Sequence, residues 1–445
     1  MVNIYNFLSN VFQEIKQENN KNHSLVFIVL VLLSIPLSHS INNICLGLLV
    51  VVSGIYFKKQ NIVIQKFLLL PIFLYAIMLL SCFWTIDRDL TISALSKEIF
   101  LLIIPVCFFF IGNLSNDQKQ KIIKYYSYGI VLFSVFYLAK AFVLFLITQN
   151  SEVFFYHELV TKDVNAIHVS VYVAIAFFYF FTKEIKKSLD YAALALLLLM
   201  VFLLSSKNII VVFLCLLACY HLFYTKTSQK LRLKNLIIFC VLIASLVFVG
   251  KIKDRFKEEY ETIMTDSSVN DVVQKSNGIV YNVSIKQAWN KDKFAPNDYF
   301  PGTAFRVYQL RIFKEMLQED AIFWKGYGLN ASFPKIEAKG VEHNLFLGNG
   351  EQQGYQTKNF HNQYVQNFAE LGIFGFLILI IMLVVNLKNA LLNKDFIHIS
   401  FAILMISLFL TESFLWRQRG VVFFTVMFCL FNSGFTSKAP NKNQI

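Results

Sequence analysis

Twelve apolar runs, each 16 to 24 residues long, recur along this chain. They fall near 24–39, 41–57, 66–84, 92–112, 125–148, 166–182, 189–205, 208–225, 235–250, 366–387, 396–415 and 420–435. No other feature constrains the fold as tightly. A helix of about 20 apolar residues crosses the hydrocarbon of a bilayer, and the shorter runs would need tilt or snorkelling ends. The first two runs are nearly contiguous and read either as two spans or as one re-entrant unit. Only 16% of residues are charged, below the roughly 25% of soluble domains. The expected class is an all-α polytopic membrane protein of about 12 transmembrane helices. The first 23 residues are polar and no small-residue cleavage site follows the first apolar run, so no cleavable signal is expected.

Charge distribution sets the expected orientation. With the N-terminus in the cytoplasm, the inner segments hold nineteen Lys and Arg and the short outer segments six: Arg88, Lys97, Lys162, Lys207, Arg417 and Arg419. That bias is the positive-inside rule, which also makes the net charge of +13 a topological signal, not a sign of nucleic-acid binding. Both termini are then cytoplasmic. The one long hydrophilic stretch, about 251–360, is translocated. It divides the chain into an N-terminal bundle (1–250), a large periplasmic loop (251–360) and C-terminal hairpins (361–445).

The seven cysteines all lie in apolar runs and the loop has none, so it folds without disulfides. Neither Cys nor His shows metal-site spacing. In the loop, KIKDRFKEEYETIM (251–264) reads as an amphipathic helix and 265–300 as irregular. TAFRVYQLRIFKEMLQED (303–320) reads as a second helix with Phe305, Leu310, Ile312, Phe313 and Leu317 apolar. FWKGYGLN (323–330) reads as a glycine turn and 340–358 as a mobile stretch.

Several cations face outward in special places. Lys207 lies in a tight connection between two spans, Arg306 in the loop helix, and Arg417 and Arg419 in the last outer turn. His361 opens the tenth span. A cationic cluster beside one base suits a lipid-linked pyrophosphate. Cations stabilise the charge that grows on the leaving pyrophosphate, and a near-neutral histidine can take the proton of a poor acceptor hydroxyl. Plainer roles stand beside these. His361 would cap its helix, and Arg306 would pair with Glu315, Glu319 or Asp320. Lys207 would snorkel, and Arg417 and Arg419 would be anchors neutralised by Glu412. Lys140, inside the fifth run, is either functional or reaches the outer surface. Gly372 and Gly375 would allow close helix packing.

Taken in order, these motifs resemble the O-antigen ligase and polymerase superfamily of bacterial envelope glycosyltransferases. His361-Asn362, nine residues, then Gly372 and Gly375 is similar to the ligase form of its signature. Arg306 and Leu310 match the ligase's Arg-x-x-x-Leu. FWKGYGLNASF, SCFWTIDRDLTISALSKEIF (81–100) and ESFLWRQRGVVFF resemble its glycine turn, its early Trp-containing loop and its last outer turn. Where the family carries Ser-Arg before the large loop, this chain has Ser206-Lys207, which keeps the charge but loses the bidentate fork.

The resemblance implies a GT-C-like membrane enzyme in the bacterial inner membrane. It would move a glycan from undecaprenyl pyrophosphate to lipid A–core, with no metal or other cofactor. His361 would be the base, Arg306 and Lys207 would hold pyrophosphate with Arg417 and Arg419, and apolar grooves would hold the polyprenyl chain. A polymerase acting on lipid-linked repeat units shares these parts. Two other classes remain open. A twelve-span flippase or transporter commonly has two related halves, which the sequence does not show. A metal-dependent oligosaccharyltransferase would use Asp87 and Asp89, which otherwise form a solvated pair flanking Arg88.

Overall fold

The structure is a computed structural model that describes residues 13–14, 16–17, 22–57, 64–224, 260, 265–270, 279–348 and 353–434. The apolar run at 235–250 and, apart from Tyr260, the expected helix at 251–264 lie outside the described residues.

Eleven of the twelve apolar runs form helix among the described residues. The membrane-type helices of the N-terminal part are α1 (Ser24–Ser34), α2 (His39–Ile55), α3 (Leu69–Leu80), α4 (Arg88–Glu98), α5 (Phe100–Ile111), α6 (Asn116–Thr148), α7 (Ala166–Thr182), α8 (Ser188–Leu203) and α9 (Lys207–Cys219). After α10 (Gly302–Glu319) and α11 (Phe333–Glu342) come α12 (Gln363–Asn393), α13 (Phe396–Phe409) and α14 (Gln418–Asn432). Among the described residues, five stretches are long and apolar enough to cross a membrane: Lys66–Phe83, Arg88–Ile111, Asn116–Thr148, Lys207–Tyr224 and Gln363–Asn393. The other six apolar helices have 10–17 residues. α1 and α2 are two separate helices; Asn42 Nδ2 of α2 donates to Ser34 Oγ (2.8 Å) and Val31 O (3.2 Å) of α1.

Short polar side chains set the starts. Ser38 caps α2, Asp87 caps α4, and Ser115 with Gln118 forms a capping box on α6, each satisfying N–H groups that a helix leaves unpaired. α7 and α14 are apolar on every face and buried on every face. Their rings interlock with neighbours: Phe177 and Phe178 of α7 meet Phe213 of α9, and Phe424 of α14 meets Phe409 of α13. Part of the chain's 47 phenylalanines thus packs the bundle centre. Lys140 reaches the end of the short helix Tyr156–Leu159 and donates to the carbonyls of Glu158 and Val160.

The large loop builds a core of its own. Phe294, Phe300, Phe305, Tyr308, Ile312 and Met316 pack with Ile336 and Leu345, and with Val365 and Ala369 from α12. Residues 265–300, expected to be irregular, contain a small sheet. In it β2 (Tyr281–Asn282) lies antiparallel to β1 (Ser268–Val269) and parallel to β3 (Asp298–Tyr299). Part of the stretch expected to be mobile is α11. Leu310 is 45% exposed and takes no part in this core, unlike Phe305 and Ile312.

α12 governs where the site lies. At Gly372 the backbone leaves the helix, with φ 66° and ψ −163°, a region almost reserved for glycine. The break frees backbone groups, and the glycine turn captures them. Tyr327 N–H donates to Ala369 O and Gly328 N–H to Glu370 O, both at 2.9 Å, while Ile373 N–H donates to Phe323 O at 2.8 Å. The expectation that Gly372 only eases helix packing is therefore incomplete: it breaks the helix so that the loop can be stitched into it. The early loop joins the same seam. Trp84 Nε1 donates to Lys325 O, Ile86 N–H to Tyr327 O and Thr91 Oγ1 to Leu329 O.

The break also sets the depth of the site. α12 and α13 start from one connection at 394–395. From there α13 rises about 21 Å and the lower arm of α12, residues 373–393, about 31 Å, at ~1.5 Å per residue. Yet Asn362 Nδ2 donates to Leu410 O (3.2 Å), just past α13, and the Tyr364 hydroxyl donates to Ile406 O (2.9 Å) within it. The upper arm of α12, residues 363–371, therefore folds back beside α13. It carries His361 to a level about 10 Å below Gly372, by the same helix rise.

Candidate functional site

Phe360 is fully buried and anchors the NFHN segment before α12. Asn359 Oδ1 accepts from His361 N–H (3.0 Å), and Asn362 Oδ1 accepts from the N–H groups of Tyr364 and Val365. The helix cap is thus Asn362 and not His361, whose ring is left for another purpose. His361 itself has φ +45°, a conformation uncommon outside glycine and typical of functional positions.

The ring meets an acid. His361 Nδ1 is 3.5 Å from Glu412 Oε2, and Arg306 Nη2 is 3.0 Å from Glu412 Oε1. Arg306 also donates from Nε to Thr411 O (2.8 Å) and from Nη1 to Gly302 O (2.9 Å). Three distant stretches of sequence therefore meet at one carboxylate. Burial would raise the Glu412 carboxyl, but the hydrogen bond and charge of His361, with the charges of Arg306 and His168, hold it below the usual carboxylate range. Glu412 is nearly enclosed, with 10% of its side chain exposed, against 31% for His361 and 29% for Arg306. His361 Nε2 has no partner among the described residues. An acid on Nδ1 orients the ring and makes Nε2 the atom that can take a proton.

Arg306 does not pair with Glu315, Glu319 or Asp320. Those acids bind Arg311, Lys339 and Lys335 respectively. Glu412 does not neutralise Arg417 or Arg419 through an ion pair; it serves Arg306 and His361. The Ser206-Lys207 turn docks close by. Asn208 Nδ2 donates to Thr411 Oγ1 and Ser407 O, both at 2.9 Å, and Ser407 Oγ donates back to Asn208 Oδ1. Lys207 thus opens α9 one residue from a side chain that touches Thr411, whose carbonyl holds Arg306.

Arg417 and Arg419 lie across the 412–416 turn, in a pocket of about 340 Å³ lined also by His39, Lys97, Asp163, His168, Trp416 and Gln418. Its cations outnumber its one carboxylate, Asp163. Arg419 is buried there, donating to the carbonyls of Asp163 and Leu37. Lys97 Nζ lies over the Trp416 ring at 5.6 Å. The His168 ring lines this pocket, 4.3 Å from that of Phe414. Trp416 Nε1 donates to Asn330 Oδ1 (2.6 Å), which ties the pocket wall to the glycine turn.

Buried amides hold the two halves in register. Gln363 Oε1 accepts from Leu415 N–H (2.7 Å), and Gln366 Oε1 accepts from Ser413 Oγ (3.3 Å) and Phe360 N–H (3.4 Å). Gln366 Nε2 donates to Glu370, which also accepts from Ser332 Oγ. Asp87 spends its carboxylate on the Leu90 N–H that opens α4.

Sequence reasoning brought His361, Arg306, Asn362 and Lys207 to one end of the fold. It missed Glu412 as the partner of the first two, and it missed Lys97, His39 and His168. Glu412 had a signal, being the lone acid of the last outer turn. The two histidines had none: His168 sits in an apolar run, and His39 lies between Ser38 and Ser40 where two apolar runs meet. Gly375 lies against Leu371 of the preceding turn, and Leu310, apolar and 45% exposed, offers the site no hydrogen bond.

Residues 192–380 match the family model described as O-antigen ligase. No curated protein matches the chain. The matched stretch contains Lys207, Arg306, Leu310, His361, Asn362, Gly372 and Gly375, and ends before Glu412. The chain is thus similar to the O-antigen ligase family over residues 192–380, with the helix break and its histidine inside the matched stretch.

Proposed function

We propose that this protein is an O-antigen ligase that moves a glycan from undecaprenyl pyrophosphate to the sugar of a lipid A–core acceptor. The reading is carried by one observation: His361 is oriented by Glu412 at Nδ1 while its Nε2 stays open, beside Arg306 and a cationic pocket. The acceptor hydroxyl gives its proton to His361 Nε2 as its oxygen bonds to the anomeric carbon. The bond from that carbon to the pyrophosphate breaks, and undecaprenyl pyrophosphate leaves. Its growing charge is met by Arg417, Lys97 and Arg419 in the pocket and by Lys207 on the Thr411 side of the turn, with Arg306 holding Glu412. The recessed level of His361 suits a pyrophosphate at the headgroups of the outer leaflet. An apolar groove of about 500 Å³ runs from Tyr364 along α12 past Leu383 and Val384 to Leu391, and suits the polyprenyl chain. The fold places the large loop on the side of His361, which this reading makes periplasmic.

Transfer in proteoliposomes, with purified lipid-linked donor and lipid A–core, tests the reading. Wild type should give core capped with glycan, and a chelator should leave the rate unchanged. His361→Ala should lower turnover by about 10²–10⁴, the usual contribution of a positioned base. Lengthening of lipid-linked donor without transfer to core would replace ligase by polymerase. Normal turnover in His361→Ala would remove the base from the mechanism.

A further inference from the structure

On the loop domain, most inward-turned cations are answered by a carboxylate. Arg306 has Glu412, Arg311 has Glu315, Lys339 has Glu319, and Lys291 has Asp298. Lys358 is the exception. It precedes His361 by three residues and is half-buried, and no carboxylate pairs with it among the described residues. Instead its Nζ lies 5.8 Å from the ring centre of Phe305 and 5.2 Å from that of Tyr355. Phe305 in turn presents itself edge-to-face to the His361 ring at 5.7 Å. Its backbone is fixed as well: Lys358 N–H donates to Tyr355 O, and Gln309 Nε2 approaches Lys358 O at 3.5 Å.

We propose that Lys358 is a further anion-binding residue of this site, and that its ammonium holds a phosphate group of one of the two substrates. The charge balance supports it. Arg306 and Glu412 cancel, which leaves Lys358 as a half-buried cation three residues from His361 with no carboxylate partner among the described residues. Aromatic faces hold a cation in place but leave its hydrogen-bond donors unused. Burial disfavours the ammonium and draws its pKa below that of an ordinary lysine; an arriving anion relieves that cost. The phosphate has two sources, the pyrophosphate of the donor or a phosphate on the acceptor sugar. The naming of these sources rests on the ligase reading; the binding of phosphate does not.

The test uses the full chain in lipid nanodiscs, as wild type, Lys358→Met and Lys358→Arg. Methionine keeps the apolar stem against Phe305 and Tyr355 and removes the charge. Lys358→Met should raise one KM about tenfold with kcat within about twofold, in line with the loss of one charge-assisted hydrogen bond, and Lys358→Arg should restore most of it. A rise in donor KM together with weaker inhibition by inorganic pyrophosphate assigns the donor. A rise in acceptor KM alone assigns the acceptor. Unchanged KM values in Lys358→Met, or an arginine variant as impaired as the methionine one, would overturn the proposal and leave Lys358 a packing residue. Absence of transfer by wild type would sink the ligase reading instead. In that case the rise in melting temperature on adding inorganic phosphate or pyrophosphate decides for Lys358: lost in Lys358→Met, the proposal stands; equal in both proteins, it falls.

Discussion

His361 sits at a positive φ because its two neighbours are asparagines with separate tasks. Asn359 turns the chain before it and Asn362 starts the helix after it. The ring is then free to lean on Glu412, and Arg306 keeps that acid ionised and in place. Glu412 titrates below the usual carboxylate range, so its charge is complete above a pH of about 4.3, the unperturbed glutamate value. Its ion pairs are lost only as the pH falls through the lowered native value. The acid therefore stays charged at neutral pH. Glu412→Gln should keep the shape, remove the charge that orients the His361 ring, and lower kcat by at least about tenfold. A full-rate Glu412→Gln enzyme would show that Glu412 only fills space.

α12 does as one element what two separate helices would otherwise have to do. Its lower arm has the length of a span, and its upper arm is a buried amide-rich wedge between loop domain and bundle. Gly372 makes this possible, because a Cβ there would lie 2.2 Å from Trp324 O. Gly372→Ala should cost about 1–3 kcal/mol through backbone strain alone, with the clash added. The melting temperature in detergent should fall by several degrees and transfer should drop with it. Gly47→Ala is the control: nothing lies within 4 Å of a Cβ at that position, and a helical Gly→Ala change is neutral or slightly stabilising. Equal melting temperatures for the two variants would mean that the break does not need glycine.

For the whole molecule, the outstanding question is which side of the membrane the loop domain faces. In a cysteine-free background, an impermeant thiol reagent added to spheroplasts should label Asn290→Cys, an exposed position of the loop domain, and should spare Asn393→Cys, at the far end of α12. The reverse pattern would put the site in the cytoplasm and end the ligase reading. Much of this architecture was legible in the order of residues. Apolar runs of span length make helices in lipid because backbone groups there have no water to bond. The His361-Asn362 and Gly372 spacing marks the helix with the break. What the sequence could not carry is which distant charges meet. Arg306 had three candidate acids on its own helix and turn, yet pairs with Glu412, 106 positions away. Lys97, His39 and His168 come from three helices and join one pocket with Arg417. Sequence by itself determined the local facts, namely the hydropathy of the spans and the spacing that singles out His361, Asn362, Gly372 and Gly375, because these depend on neighbours along the chain. Tertiary structure alone decided the pairing of charges and the recessed level of His361, because both depend on how a broken helix folds back against a shorter one.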